Sequence, residues 1–397
     1  MKRRILFLGL MLLAVVQISC SRNGSSKIAD SSQFNFYLNG GVSPGRFNPF
    51  RLTDDPLVGK MLFEIRKSPK DALAVSTITG LDEELVKRKL EECRELEIVK
   101  EKEGKYVANF NFLDKEEKHE VRRLADKLAV KELEIIRKEL DNIRDVFDKC
   151  SFERQGFNWT SMSHLILGSW GTDMAVMERG SRRYGLPTGK TAPLRPGGGR
   201  YWIHCIEGGK EKFVFANSRG IYENDGFGVW YCNRADLRPK LTWLKKEQWT
   251  LVRHLMSKGS DNIDGLCDAS EEPCRNVKKM IKTLTAAKWI SKEGANYTVA
   301  FPVFYQDDID KLLEKFDVIG SEIMEEVYVN SEPEVKRLFK KMRPDLDEKE
   351  YGCFIGIVKH WVEQICLKAL MDDGIMERIT SGSVQLNWAW IGSFDNK

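Results

Sequence analysis

Between Val86 and Phe112 the chain carries a pattern that occurs a second time. Shifted by 191 residues, the distance from Tyr106 to Tyr297, this stretch lies on residues 277–303 without a gap. Val86 falls on Val277, Leu90 on Ile281, Cys93 on Leu284, Ile98 on Trp289, Val99 on Ile290 and Phe110 on Phe301. Upstream the register holds at Val58/Trp249, Met61/Val252, Ile65/Met256 and Val75/Leu266. Apolar positions that coincide over about 50 residues mark an internal duplication, which constrains the fold more than any local signal.

Within the first copy, Leu85, Val86, Leu90 and Cys93 recur at helical spacing over residues 82–94. Asp82, Glu83 and Glu84 place negative charge on the first turn, where the helix dipole favours it. Residues 96–102 and 105–112 are extended runs around Glu103-Gly104, which signals a hairpin. Helices over residues 56–66 and 70–78 precede them, the latter leading into the turn Thr79-Gly80-Leu81. The second copy repeats the order, with helices over 246–258, 262–267 and 271–287 and strands over 289–292 and 296–304.

This succession resembles the winged helix-turn-helix of bacterial MarR-like and ArsR-like regulators, over about 60 residues of each copy. The resemblance is one of pattern. It implies a third helix able to enter the DNA major groove, with Lys and Arg on phosphates and bases. The second copy offers Arg275, Lys278, Lys279 and Lys282 for this, opposed only by Glu271 and Glu272 at the helix start. The first offers Lys87, Arg88, Lys89 and Arg94, outweighed by Asp82, Glu83, Glu84, Glu91, Glu92 and Glu95. These side chains are the candidate nucleic-acid or partner contacts, against the plainer reading of a solvated helix face that packs or binds protein. DNA is the less favoured ligand, because removing Lys2, Arg3 and Arg4 from the formal +4 leaves the chain near neutral, whereas dedicated nucleic-acid binders carry a basic excess.

Those three cations open an export signal. An apolar run over residues 5–16 follows, then Gln17-Ile18-Ser19-Cys20. The run is too short to span a bilayer comfortably. A small residue before Cys20 resembles the lipobox of bacterial lipoproteins, although Gln17 stands where that motif prefers Leu. The resemblance implies lipid attachment at Cys20 and a body in the cell envelope, anchored on the far side of the inner membrane. An uncleaved anchor and a false start are the alternatives. Residues 21–55 are polar and Gly-rich, a tether with room for one strand at 34–38.

Residues 115–150 contain neither Pro nor Gly and keep an apolar stripe through Val121, Leu124, Leu128, Leu133, Ile136, Leu140, Ile143 and Phe147. The pattern predicts a helix of about 33 residues, which needs a packing partner. In winged-helix regulators that partner is usually the same helix of a second subunit. Here Ile309, Leu312, Phe316, Ile319 and Ile323 form an equivalent stripe, so that one chain can build its own pseudo-dimer.

From residue 151 to 240 Gly and aromatics gather. A helix over 162–177, interrupted at Gly168 and Gly171, and strands over 201–206, 212–216 and 228–232 predict a small antiparallel sheet. His164 and His360 correspond roughly, as do residues 177–180 and 371–374, while 385–390 resembles 201–206 only by type. The second copy reads as truncated. The expected fold is α+β and mostly α: two winged units with long amphipathic helices and a small antiparallel β region. Along the chain its divisions are 1–20 signal, 21–55 tether, 56–150 first winged unit and long helix, 151–240 β region, 241–330 second winged unit, and 331–397 a partial second α/β region.

The candidate chemistry is sparse. Residues 185–191 invite a phosphate-loop reading, but Tyr184 stands where the motif needs Gly, and Pro193, Pro196 and Gly197–199 forbid the following helix. No Cys-x-x-Cys exists, and His204 and Cys205, adjacent on a strand, point to opposite faces, so no metal set is assigned. Cys93, Cys353 and Cys366 lie on apolar stripes. Cys267/Cys274 and Cys205/Cys232 could each pair in an oxidising compartment, although plain buried thiols are the expectation. Gly168-Ser169-Trp170-Gly171 lacks the nucleophile-elbow spacing. His164, Asp173 and Glu178 are compatible with a site, with a structural His the stronger reading. No catalytic set and no cofactor motif emerge. The functional expectation is a membrane-anchored, non-enzymatic binding or scaffold protein, with a protein partner or self-association through the long helices. The alternative is a DNA-binding regulator.

Overall fold

The computed structural model describes residues 34–43, 45–208, 218–224, 227–232, 244–378 and 386–391. The segment read as an export signal with Cys20, the first part of the expected tether and the strand expected over 212–216 lie outside the described residues. The chain is α+β and mostly helical, with small sheets.

The first copy begins with β1 (Phe34–Gly41), so the segment read as a tether is already structured from Phe34. Then come α1 (Pro56–Glu64), α2 (Ala72–Thr79) and α3 (Glu83–Glu95). Each starts on an Asp whose carboxylate accepts from a free first-turn amide: Asp55 from Leu57, Asp71 from Ala74 and Asp82 from Leu85. Gly80, at φ 71°, ends α2 in the left-handed conformation that costs glycine nothing. The hairpin β2 (Val99–Lys102) and β3 (Lys105–Ala108) follows, then β4 (Asn111–Leu113) and α4 (Lys115–Asp148). The run expected as one strand over 105–112 is therefore two. The Asn109 side chain donates to the Glu97 carbonyl and its amide to that of Ile98, which ends the hairpin and frees β4 for another sheet.

Next, α5 (Trp159–Ser163) continues in wide π-type turns over His164–Gly180, and β5 (Arg200–Glu207) closes the first copy. Gly168 and Gly171 do not interrupt this helix. A Cβ on Gly171 would lie 3.2 Å from the Phe316 ring and one on Gly180 2.6 Å from Met324 Cγ, so glycine here serves close packing. The second copy runs through β6 (Ser218–Asn224), β7 (Phe227–Cys232), α6 (Lys246–Lys258), β8 (Ser260–Asn262), α7 (Ile263–Asp268) and α8 (Cys274–Ala286). It continues through β9 (Ile290–Glu293), β10 (Asn296–Val299), β11 (Val303–Tyr305), α9 (Gln306–Ile323), α10 (Glu332–Met342), α11 (Tyr351–Asp372) and β12 (Leu386–Ile391).

Residues 56–113 and 246–305 thus share one order: three helices, a hairpin and a short departing strand. Their detailed registers agree. Lys70 bridges Tyr106 in the first copy, and Asp261 pairs with Tyr297 in the second, at positions 191 apart in both partners.

The compact units are not successive segments of the chain. One comprises residues up to 129 with 181–211 and 326–362; the other comprises 130–180, 212–325 and 363–397. Each is built on one copy but takes its middle helical segment from the other.

In the first unit β1 runs antiparallel to β5, with Phe36 opposite Cys205, and β4 runs parallel to β5, with Phe112 opposite Cys205. Val58, Met61, Leu62, Val75, Val86, Leu90, Ile98 and Phe112 are fully buried between the helices and this sheet. The borrowed segment is held at the start of α4. The Arg343 guanidinium donates to both Glu117 oxygens at 2.7 and 2.9 Å, and both side chains are buried.

The second unit repeats this plan. β11 runs parallel to β12 with Val303 opposite Ala389, and β7 runs antiparallel to β12 with Val229 opposite Ala389. β6 adds an outer strand on β7. Two expectations are corrected here. β5 and β7 belong to different sheets, because β5 closes the first copy while β7 pairs with β12 in the second. The second copy, read as lacking the later elements of the first, does hold a counterpart of β5, because β12 pairs with its β11. The borrowed segment docks where the first unit's does: Asp308, equivalent to Glu117, accepts from the Ser151 amide at 2.8 Å and hydroxyl at 2.6 Å. Trp170, Phe304, Trp388 and Trp230 pack in succession through this core at centroid separations of 5.0–5.2 Å, the first pair stacked and the other two edge-on.

Candidate interaction face

The second unit presents α8 through three successive constraints. Asp261 is buried, and its carboxylate accepts from Lys258 Nζ at 2.8 Å, contacts His254 Nε2 at 2.7 Å and accepts the Asn262 amide at 2.9 Å. The Lys258 bond, followed by that to His254, holds its pKa down at about 2. Asn262 then caps α7 by accepting from the amides of Asp264 and Gly265. Finally, a disulfide joins Cys267 in α7 to Cys274 at the first position of α8. Plain thiols were expected at both cysteines. The turn between the helices brings their Cα atoms to 4.9 Å, within bonding range. The first copy closes the same turn without sulfur: Ser76, equivalent to Cys267, donates its hydroxyl to the Leu81 carbonyl at 2.6 Å.

α8 buries Val277, Ile281 and Leu284. Arg275, Lys278, Lys279 and Lys282 are all exposed. At 100° per residue they fall within an arc of about 100° on the side away from the buried stripe. None of the four has an ion-pair partner among the described residues.

The equivalent stripe of α3, read 191 residues earlier, is Glu84, Lys87, Arg88 and Glu91. Two acids and two bases cancel where the second copy carries four positive charges. Lys87 and Arg88 are exposed. Their neighbour Lys89 pairs with Asp55 and Glu92, and Arg94 pairs with Glu91. Glu91 also accepts from the Tyr106 hydroxyl at 2.6 Å, which lowers its pKa. The first copy's stripe is charge-balanced, two acids against two bases; the second's is wholly positive.

Residues 185–191 form a surface turn, with Gly185 at φ 66° and a single 3₁₀ turn at Gly189–Thr191, and no helix begins there. His164 is fully buried, while Asp173 and Glu178 are only half-buried. Cys93, Cys150, Cys205, Cys353 and Cys366 are buried and belong to no disulfide.

Two constellations had no signal in the sequence, because their members lie about 150 residues apart. The first is a buried ion pair, Arg195 to Glu350 at 2.6 Å, with both side chains inaccessible. The second sets Cys353 Sγ 3.8 Å from His204 Nδ1, with the Tyr37 ring stacked on the imidazole at 4.9 Å. Burial pushes the His204 pKa down to about 3 and raises the Cys353 thiol well above its ordinary value. Both groups are neutral at pH 7, the opposite of the thiolate–imidazolium pair that nucleophilic catalysis needs. Among the described residues, the four cations of α8 share one exposed surface.

No family model, curated protein or solved structure matches this chain.

Proposed function

We propose that the chain is an exported, lipid-anchored envelope protein. It binds or scaffolds other molecules through its duplicated, winged-helix-like units and catalyses no reaction. The observation that carries this reading is the Cys267–Cys274 disulfide. Such bonds persist in oxidising compartments outside the cytoplasm, and the lipobox-like Ser19-Cys20 supplies a route there. The free thiols agree with that setting, because burial keeps them protonated and out of reach: Cys93 and Cys150 are pushed up to about 12.

A second reading, a winged-helix DNA-binding regulator, is favoured by the basic stripe, which lies on the third helix of its unit. It requires a reducing compartment, where this disulfide is not expected to persist.

Fractionation combined with intact mass tests the choice. Material from the native host should be membrane-bound and begin at a lipidated Cys20. Cys267 and Cys274 should resist alkylation until reduced, and Cys20→Ser should leave an unprocessed precursor or a released chain. A soluble cytoplasmic protein with both cysteines alkylated without reductant would replace this reading by the regulator.

A further inference from the structure

We infer that the exposed face of α8 docks on an anionic phospholipid surface; this rests on the export reading and names the binding surface within it. Four cations share one arc of the helix, with no carboxylate among them. From Arg275 to Lys282 they extend about 10 Å along the axis. Nothing in the stripe is shaped for a single ligand: it is an open row of positive charge, complementary to a layer of phosphates.

None of the exposed large apolar side chains among the described residues lies on α8. The face is therefore suited to adsorb at headgroup level and not to insert. The disulfide fixes the start of α8 against α7, so the stripe is presented on a braced helix. Duplex DNA would meet the same charges, but the compartment that preserves the disulfide holds the chain away from the chromosome, whereas a lipid anchor keeps phosphates beside it. A lipid chain together with a basic patch makes the two-signal attachment that stable membrane binding requires.

The test uses the full chain carrying Cys20→Ser, so that no lipid contributes. Binding is measured by co-sedimentation with vesicles of phosphatidylcholine alone or with about 30 mol % phosphatidylglycerol, because only the second carries negative surface charge. Each cation near such a surface contributes roughly fivefold. Lys278→Ala/Lys279→Ala/Lys282→Ala should therefore weaken binding to the anionic vesicles about 100-fold and leave the neutral ones unchanged. The matching Lys87→Ala/Arg88→Ala/Lys89→Ala variant should bind like its parent. Salt supplies a measurement that needs no further variant: raising it from about 50 to 500 mM should abolish the preference for anionic vesicles. Equal binding by parent and second-copy variant, or an equal loss in the first-copy variant, overturns the inference. So does displacement from the vesicles by one DNA sequence at physiological salt, which would assign the stripe to nucleic acid. Localisation and the mass of the N-terminus are independent of these outcomes, so failure here leaves the export reading to be judged on its own experiment.

Discussion

Acidification should loosen the first unit from about pH 6.5 downward, and His204 should be the main cause. The ring lies on β5 between Tyr37 and Cys353, and its folded-state pKa is pushed down to about 3, first by burial and then by the nearby His360. In the unfolded chain an imidazole titrates near 6.5. Between these values the unfolded state holds a proton that the folded state lacks, so stability rises with pH across the window. It is fully present above about 6.5 and is lost as pH falls, by at most about 1.4 kcal/mol per unit. From pH 6.5 to 5.0, above the range where most carboxylates titrate, the cost is about 2 kcal/mol. His360, whose pKa is lowered mainly by burial, acts in the same direction. The assay is hydrogen exchange of the β1 and β5 amides across that range, for the parent and for His204→Phe, which keeps a ring against Tyr37 but cannot titrate. The parent should lose protection with acid, and the variant should lose markedly less. Identical pH slopes would refute the argument, because the proton uptake would then belong elsewhere.

Two further outcomes follow from the packing. A Cβ on Gly320 would lie 2.8 Å from the Ala175 carbonyl oxygen, whereas one on Gly356 would meet nothing within 4 Å. Gly320→Ala should therefore destabilise by about 1–3 kcal/mol, while Gly356→Ala in α11 should stabilise by about 0.5–1 kcal/mol; urea denaturation of both variants checks the contrast, and equal effects would contradict the packing assigned to α9. Because each unit borrows a segment from the other copy, severing the chain between residues 208 and 218 should leave two halves that co-purify one to one. Halves that fold separately and elute apart on gel filtration would show that the exchange contributes little.

The duplication was legible from the sequence because it is local physics written twice. Val86, Leu90 and Cys93, like Val277, Ile281 and Leu284, must face a core whatever surrounds them, so three helices and a hairpin follow from spacing, caps and turns. The cations of α8 were legible for the same reason, since helical periodicity alone separates them from the buried stripe. Periodicity also announced that α4 needed a partner.

The sequence could not say which segments would share a unit. Arg343 meets Glu117 across 226 residues and Ser151 meets Asp308 across 157. Nothing in the local chain distinguishes those partners from other polar residues. β12 resembled β5 only by type, because a strand edge requires backbone amides and a burial pattern more than particular side chains. The Cys267–Cys274 bond depended on a turn geometry that the spacing permits but does not impose. Local free energies are short-ranged and recur wherever the pattern recurs. The choice among distant partners is made only when the whole core closes, and there the tertiary structure decided.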